Sequence, residues 1–156
     1  MADIVLQRDV GSLGALKRLS AAASATAAGT GDSTTTTGIT IDRMGFSSGS
    51  MPNSLAVAVA WEAVLATGKT LSIGYAAQTS DDASSWTDYQ TATYAAVATG
   101  STAASAAAGE FEVSVNLTSA RRYVRFNFAE DLSATQTDTS AARAVGFFAG
   151  FDRLPQ

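Results

Sequence analysis

The chain has 156 residues and a formal net charge of −4, with neither cysteine nor histidine. Ala (32), Thr (19), Ser (18) and Gly (13) together fill 82 positions and leave 40 large apolar residues, enough for one thin core between two layers. The missing residue types exclude disulfide staples, thiolate or imidazole metal sites and every catalytic scheme built on a Ser–His, Cys–His or histidine base. An acidic chain with only 15% charged residues is also a poor match for a phosphate backbone, so no nucleic-acid partner is expected.

In chain order, Asp3, Arg8 and Asp9 interrupt the apolar run that a secretory leader needs. The Ala/Ser tract over 20–28 is too short and polar to span a membrane, so no membrane partner is expected and assembly in the cytoplasm is. Residues 1–38 read as an N-terminal extended arm. Leu13, Leu16 and Leu19, three apart, allow a short helical turn, and Gly11 and Gly14 argue against a longer helix. Residues 21–38 are a low-complexity Ala/Ser/Thr linker with no large apolar side chain, which cannot offset its ordering entropy by burial. The arm is therefore expected to lie against other subunits, with Ile4, Leu6, Leu13, Leu16 and Leu19 as anchors.

From residue 39 to 156 a period-two alternation predicts an all-β domain, a β-sandwich or jelly roll with under about a tenth helix. Ile39 and Ile41 open it. Leu55, Val57, Val59 and Trp61 then alternate with Ala56, Ala58, Ala60 and Glu62, between turn signals at Pro52-Asn53 and Thr67-Gly68-Lys69. Leu71, Ile73 and Tyr75 follow, then Phe111, Val113, Val115 and Leu117, then Val124, Phe126 and Phe128, and last a run from Ala141 to Phe151. The stretch from Ser80 to Glu110 reads as a long polar connection between sheets, pinned by Trp86, Tyr89 and Tyr94. The predicted inward set includes Val57, Val59, Trp61, Leu71, Ile73, Phe111, Val113, Val115, Val124, Phe126 and Phe128. The alanine face opposite Val57 and Val59 would allow another subunit to approach closely.

Three clusters invite a chemical reading. Asp81, Asp82 and Asp88 supply hard oxygen ligands for Ca²⁺, but their spacing is not that of an EF-hand loop, and a side-chain-capped turn is the simpler reading. Arg121, Tyr123 and Arg125 form an outward row of a composition common at protein contacts; alternatively they are solubilising charges paired across the sheet with Glu110 and Glu112. For catalysis a carboxylate pair would be required, and among Glu62, Glu110, Glu112, Glu130 and Asp131 nothing selects two. The Thr34–Thr37 run has no P-loop lysine. No enzyme and no cofactor are expected.

Gly38-Ile-Thr-Ile-Asp42, Leu71 to Ser80 with Trp86-Thr-Asp88, Leu117 to Phe126 and the closing Gly150 to Pro155 resemble the capsid decoration, or cement, proteins of tailed bacteriophages. The resemblance implies a jelly-roll virion protein, assembled in the host cytoplasm as a homotrimer. It would bind the major capsid protein on the outer surface of an HK97-like shell and bridge its subunits. The alternatives are a glycan- or host-surface-binding sandwich with Trp86, Tyr89 and Tyr94 as its aromatic platform, or a tail or neck component.

Overall fold

The computed structural model describes residues 14–46, 51–102, 104–134 and 137–151. These form ten strands: β1 (Gly14–Arg18), β2 (Ala23–Thr26), β3 (Thr35–Thr36), β4 (Ile41–Asp42), β5 (Pro52–Leu65), β6 (Thr70–Ser80), β7 (Thr87–Thr99), β8 (Ser105–Asn116), β9 (Tyr123–Leu132) and β10 (Thr139–Phe151). The helical content among the described residues is one 3-10 turn, Arg43–Gly45. One antiparallel sheet has the order β1-β10-β5-β8, with β2 also on β10; the other runs β3-β9-β6-β7, with β4 also on β9. Packed face to face they make the all-β sandwich of jelly-roll class that the alternation predicts.

The same alternation fills the interior. Val57, Val59 and Trp61 of β5, Leu71 and Ile73 of β6, Val113 and Val115 of β8, and Val124, Phe126 and Phe128 of β9 are all buried. Phe111 is half-buried and leans on the core beside Tyr75, their ring centroids 6.0 Å apart. Each large side chain so buried contributes roughly 1.5–3 kcal/mol. On β10 the inward set is Ala142, Ala144, Gly146 and Phe148, while Val145 and Phe147 turn to the outer face. Gly146 is required there: a Cβ would lie 2.6 Å from Leu19 Cδ1 and 2.7 Å from Leu55 Cδ1.

Residues 14–38 differ from the expected separate arm, and the 14–19 stretch from a helical turn. Gly14–Arg18 is strand β1, paired with Val145–Ala149, and Ala23–Thr26 is β2, paired with Thr139–Ala142. Leu19 is 1% exposed, so it anchors this chain's own core and is unavailable to another subunit. The chain then crosses to the other sheet, where β3 and β4 pair with β9. The small-residue tract thus covers the exposed edges of β10 and β9, through backbone hydrogen bonds that need no large side chains. Gly38 passes so close to β9 that a Cβ would lie 2.2 Å from the Phe126 carbonyl oxygen. Ile4, Leu6 and Leu13 lie outside the described residues.

A second departure is the Ser80–Glu110 stretch, which holds all of β7 and the first half of β8 rather than a long link. β7 pairs with β6 through a register broken at three points, and its 91–96 segment is exposed on both sides. An edge strand with both faces in water carries no amphipathic alternation.

Two charged side chains lie inside. Arg43 is 2% exposed; its Nη1 donates to the carbonyls of Ala120 and Arg121, and its Nη2 to those of Pro52 (2.7 Å) and Leu117 (2.9 Å). Burial pulls its pKa below the usual arginine value. Glu130 points from β9 toward β10, where its carboxylate accepts a hydrogen bond from the Ser140 hydroxyl. Burial pushes the Glu130 pKa above the ordinary 4.5, against the smaller opposing effect of that bond. A raised folded-state pKa means its stabilising contribution is complete below about 4.5 and is lost as pH rises through the folded value. Asp42 and Asp82, whose pKa values are lowered, have the opposite sign and lose their contribution as pH falls below about 3.8. Glu130→Gln should therefore raise the melting temperature at pH 7 and lose that advantage near pH 4.5. A pH series showing equal melting curves throughout would contradict this account.

Candidate interaction surfaces

At one end of the β3-β9-β6-β7 sheet the β6–β7 turn folds beside the start of β9, because β6 lies between them. Asp82 organises that turn: its Oδ1 accepts from the backbone N–H of Ser84 (2.9 Å) and Ser85 (2.8 Å), and from the Ser80 hydroxyl (2.9 Å). These bonds, first those from the Ser85 and Ser84 amides, hold its pKa far below the usual carboxylate range. Asp81 points away to Arg121 Nη1 at 3.1 Å, and Asp88 accepts from Gln78 Nε2 at 2.7 Å. The three carboxylates are thus spent on three different partners, as in the capped-turn reading.

The Arg121, Tyr123, Arg125 row is assembled at this end, but with partners other than Glu110 and Glu112. Those two carboxylates sit on β8, in the opposite sheet. Arg125 lies over the Trp86 ring at 4.2 Å and donates from Nε to Gln78 Oε1 at 2.7 Å. Arg122 grips Asp42 with Nε and Nη2 at 3.0 and 2.7 Å, and its guanidinium stacks 4.9 Å over Tyr123. The Asp42 pair raises the arginine's pKa and lowers the carboxylate's. Such exposed pairs add little stability. Their effect is to hold guanidinium planes and rings in one orientation, a preorganised surface for a protein contact. Asp81, Gln78 and Trp86 were not identified from sequence as partners of the row, nor Asp42 as the partner of Arg122, and the signal was weak: residues 78 to 86 span a turn whose docking on β9 follows from strand order alone.

The aromatic candidates do not form one platform. Trp86 carries Arg125 on its face, Tyr89 donates its hydroxyl to the Asn116 carbonyl at 2.7 Å, and Tyr94 covers Gly74. The carboxylates considered for catalysis are likewise dispersed. Glu62, Glu110 and Glu112 stand on the outer face of β5 and β8, Glu130 is interior, and Asp131 accepts from the Ser33 hydroxyl at 2.7 Å.

The outer face of the β1-β10-β5-β8 sheet is the larger surface. It presents Leu16, 70% exposed, and Val64, 39% exposed, with half-buried Val145 and Phe147 and the alanines at 56, 58, 60, 106 and 108. Leu16, expected as an arm anchor, is thus an exposed apolar residue at the sheet's β1 edge.

No protein-family model matches the chain, and no curated protein matches it. Among solved structures, a chain of the infectious bursal disease virus Gx strain superposes with a TM-score of 0.50 at 13% identity, over 88% of this chain and 33% of that one. A chain of the T13 particle of infectious bursal disease virus gives 0.46 at 16% identity, over 88% and 31%. The PBSX exported protein XepA gives 0.43 at 18% identity, over 91% and 39%. This chain spans about a third of the length of the viral chains it matches. At such identity the likeness is one of fold: the sandwich of this chain is similar to one found in a virus particle.

Proposed function

We propose that the chain is a structural protein of a virus particle, and more narrowly a capsid decoration protein of a tailed bacteriophage. The observation that carries this reading is the exposed outer face of the β1-β10-β5-β8 sheet. The core between the sheets is already filled, so Leu16, Val64, Val145 and Phe147 serve no interior, and apolar side chains left exposed on one sheet face in this way mark a protein contact. The fold shared with a virus-particle chain supports it. In this reading the protein binds the outer surface of an HK97-like shell and bridges neighbouring major capsid protein subunits. The Arg121, Tyr123, Arg125 row meets the shell, and Ile4, Leu6 and Leu13 are further anchors. Copies of the chain associate through the apolar sheet face. Modest contacts repeated over many copies act jointly, which suits a stiff sandwich with little chemistry of its own.

Co-sedimentation with expanded HK97-type shells tests this. The wild-type protein should pellet with shells, and the double variant Arg121→Glu/Tyr123→Ala should bind at least about tenfold more weakly, or about 1.4 kcal/mol. A wild-type protein that stays in the supernatant at every shell concentration sinks the decoration reading.

A further inference from the structure

The outer face of the β1-β10-β5-β8 sheet is polar at its two sides in opposite senses. Strand register sets Arg18 in one row with Val145, Ala58 and Glu112, and sets Arg143 in the next outward row with Ala60 and Glu110. Leu16, Phe147, Ala56 and Ser114 make a third row. Cations therefore line the β1 and β10 side, and carboxylates line the β5 and β8 side, where Glu62 of β5 joins Glu110 and Glu112; apolar side chains fill the positions around them. Among the described residues neither these two arginines nor Glu110 and Glu112 take part in an ion pair.

We propose that this face receives a second copy of the chain, about a two-fold axis that lies in the interface parallel to β5. The proposal rests on the reading of this face as a covered one and adds what covers it. Rotation about that axis preserves position along the strands and reverses strand order across the sheet. β1 of one copy then lies over β8 of the other, so Arg18 meets Glu112, and Arg143 is carried toward Glu110. By symmetry each contact forms twice. Between them the small alanine side chains of β5 let the sheets approach, against Val145 and Phe147 of β10. A two-fold axis across the strands would instead stack β8 on β8 and oppose Glu110 and Glu112 to their own copies. The charge rows thus select one rotation. They also select a pair over the trimer implied by the family resemblance, because the face is complementary to itself and closes on one partner.

The area suffices. Four strands about 4.8 Å apart, of 5, 13, 14 and 12 residues at about 3.3 Å rise, give a flat face of roughly 600–700 Å² per copy. Both copies together fall near the lower end of specific interfaces, about 1,200–2,000 Å².

Light scattering on the full chain, without shells, tests the proposal. The wild type should show twice the 15.9 kDa chain mass. Arg18→Glu/Arg143→Glu and Glu110→Arg/Glu112→Arg should each dissociate at least about a hundredfold more readily, since like charges then face each other. Mixing the two variants should restore the pair. Circular dichroism confirms that each remains folded, and Arg18→Ala/Arg143→Ala, which adds no repulsion, is the substitute should a reversal unfold. A wild-type monomer, a trimer, a pair whose mass survives both reversals, or a mixture that stays monomeric overturns the proposal. A monomer that still pellets with shells overturns this inference and leaves the proposed function standing; a pair that ignores shells does the reverse.

Discussion

Replacing Arg43 with alanine is expected to cost about 3–5 kcal/mol, because it empties a buried site and leaves buried carbonyls without their donor. That is a large share of the roughly 5–15 kcal/mol that holds a domain folded. The guanidinium is the common donor for four carbonyls that no single strand brings together: Pro52 at the start of β5, Leu117 just past β8, and Ala120 and Arg121 before β9. It therefore ties both sheets together at one end of the sandwich. With the side chain removed, the buried carbonyls of Pro52 and Leu117 lose their donor, and each buried acceptor left unmatched costs about 1–3 kcal/mol. Arg43→Lys should recover a minor part, because one ammonium cannot reproduce the planar fork of donors. Denaturant midpoints measure all of this. Arg43→Met is the decisive variant, since it keeps most of the volume and none of the donors. A midpoint for Arg43→Met equal to the wild type would show that the hydrogen bonds add nothing beyond packing.

In the sequence Arg43 continues the alternation of Ile39 and Ile41, so its phase points inward while its residue type argues for the surface. It sits beside Asp42 in a Gly/Ser-rich stretch, where an arginine reads as an exposed charge. Its burial depends on four carbonyls contributed from positions 52 to 121, a long-range arrangement that local pattern cannot carry. The same holds for Glu130, which occupies an inward position of β9 in step with Phe126 and Phe128; its type argues for the surface, while its phase points inward.

Where alternation was strong, as in β5, β8 and β9, both the strand and its inward face were legible. The period of two follows directly from backbone geometry and survives any tertiary context. Where burial comes from backbone pairing alone, it was not. β1 and β2 have small or exposed side chains and exist because β10 offers them a free edge; β7 exists because β6 does. The Arg121, Tyr123, Arg125 row was legible as a cluster, but its partners were not. Cross-strand reasoning pointed to Glu110 and Glu112, whereas sheet order brings Asp81, Gln78 and Trp86 instead. The outer alanine face was visible as the complement of Val57 and Val59. Its charge polarity emerged once register had placed Arg18 and Glu112 in one row.

Phe126→Ala tests the register on which those assignments depend. Phe126 is 1% exposed, on a strand paired along both edges, and stacks on Tyr75 with centroids 5.3 Å apart and planes 16° from parallel. Its removal deletes that ring contact and leaves a cavity that the surrounding strands cannot close. Large aromatic-to-alanine changes of this kind cost about 3–5 kcal/mol. At about 2–4 °C per kcal/mol for a domain of this size, the melting temperature should fall by roughly 6–20 °C. Thr93→Ala, at an exposed position of the edge strand β7, should change it by no more than a degree or two. A one-residue slip of β9 would exchange the two faces of the strand, turning Arg125 toward the core and Phe126 away from it. An unchanged melting temperature for Phe126→Ala would therefore overturn the pairing of β9 with β6, and with it the placement of the Arg121, Tyr123, Arg125 row on the outer surface.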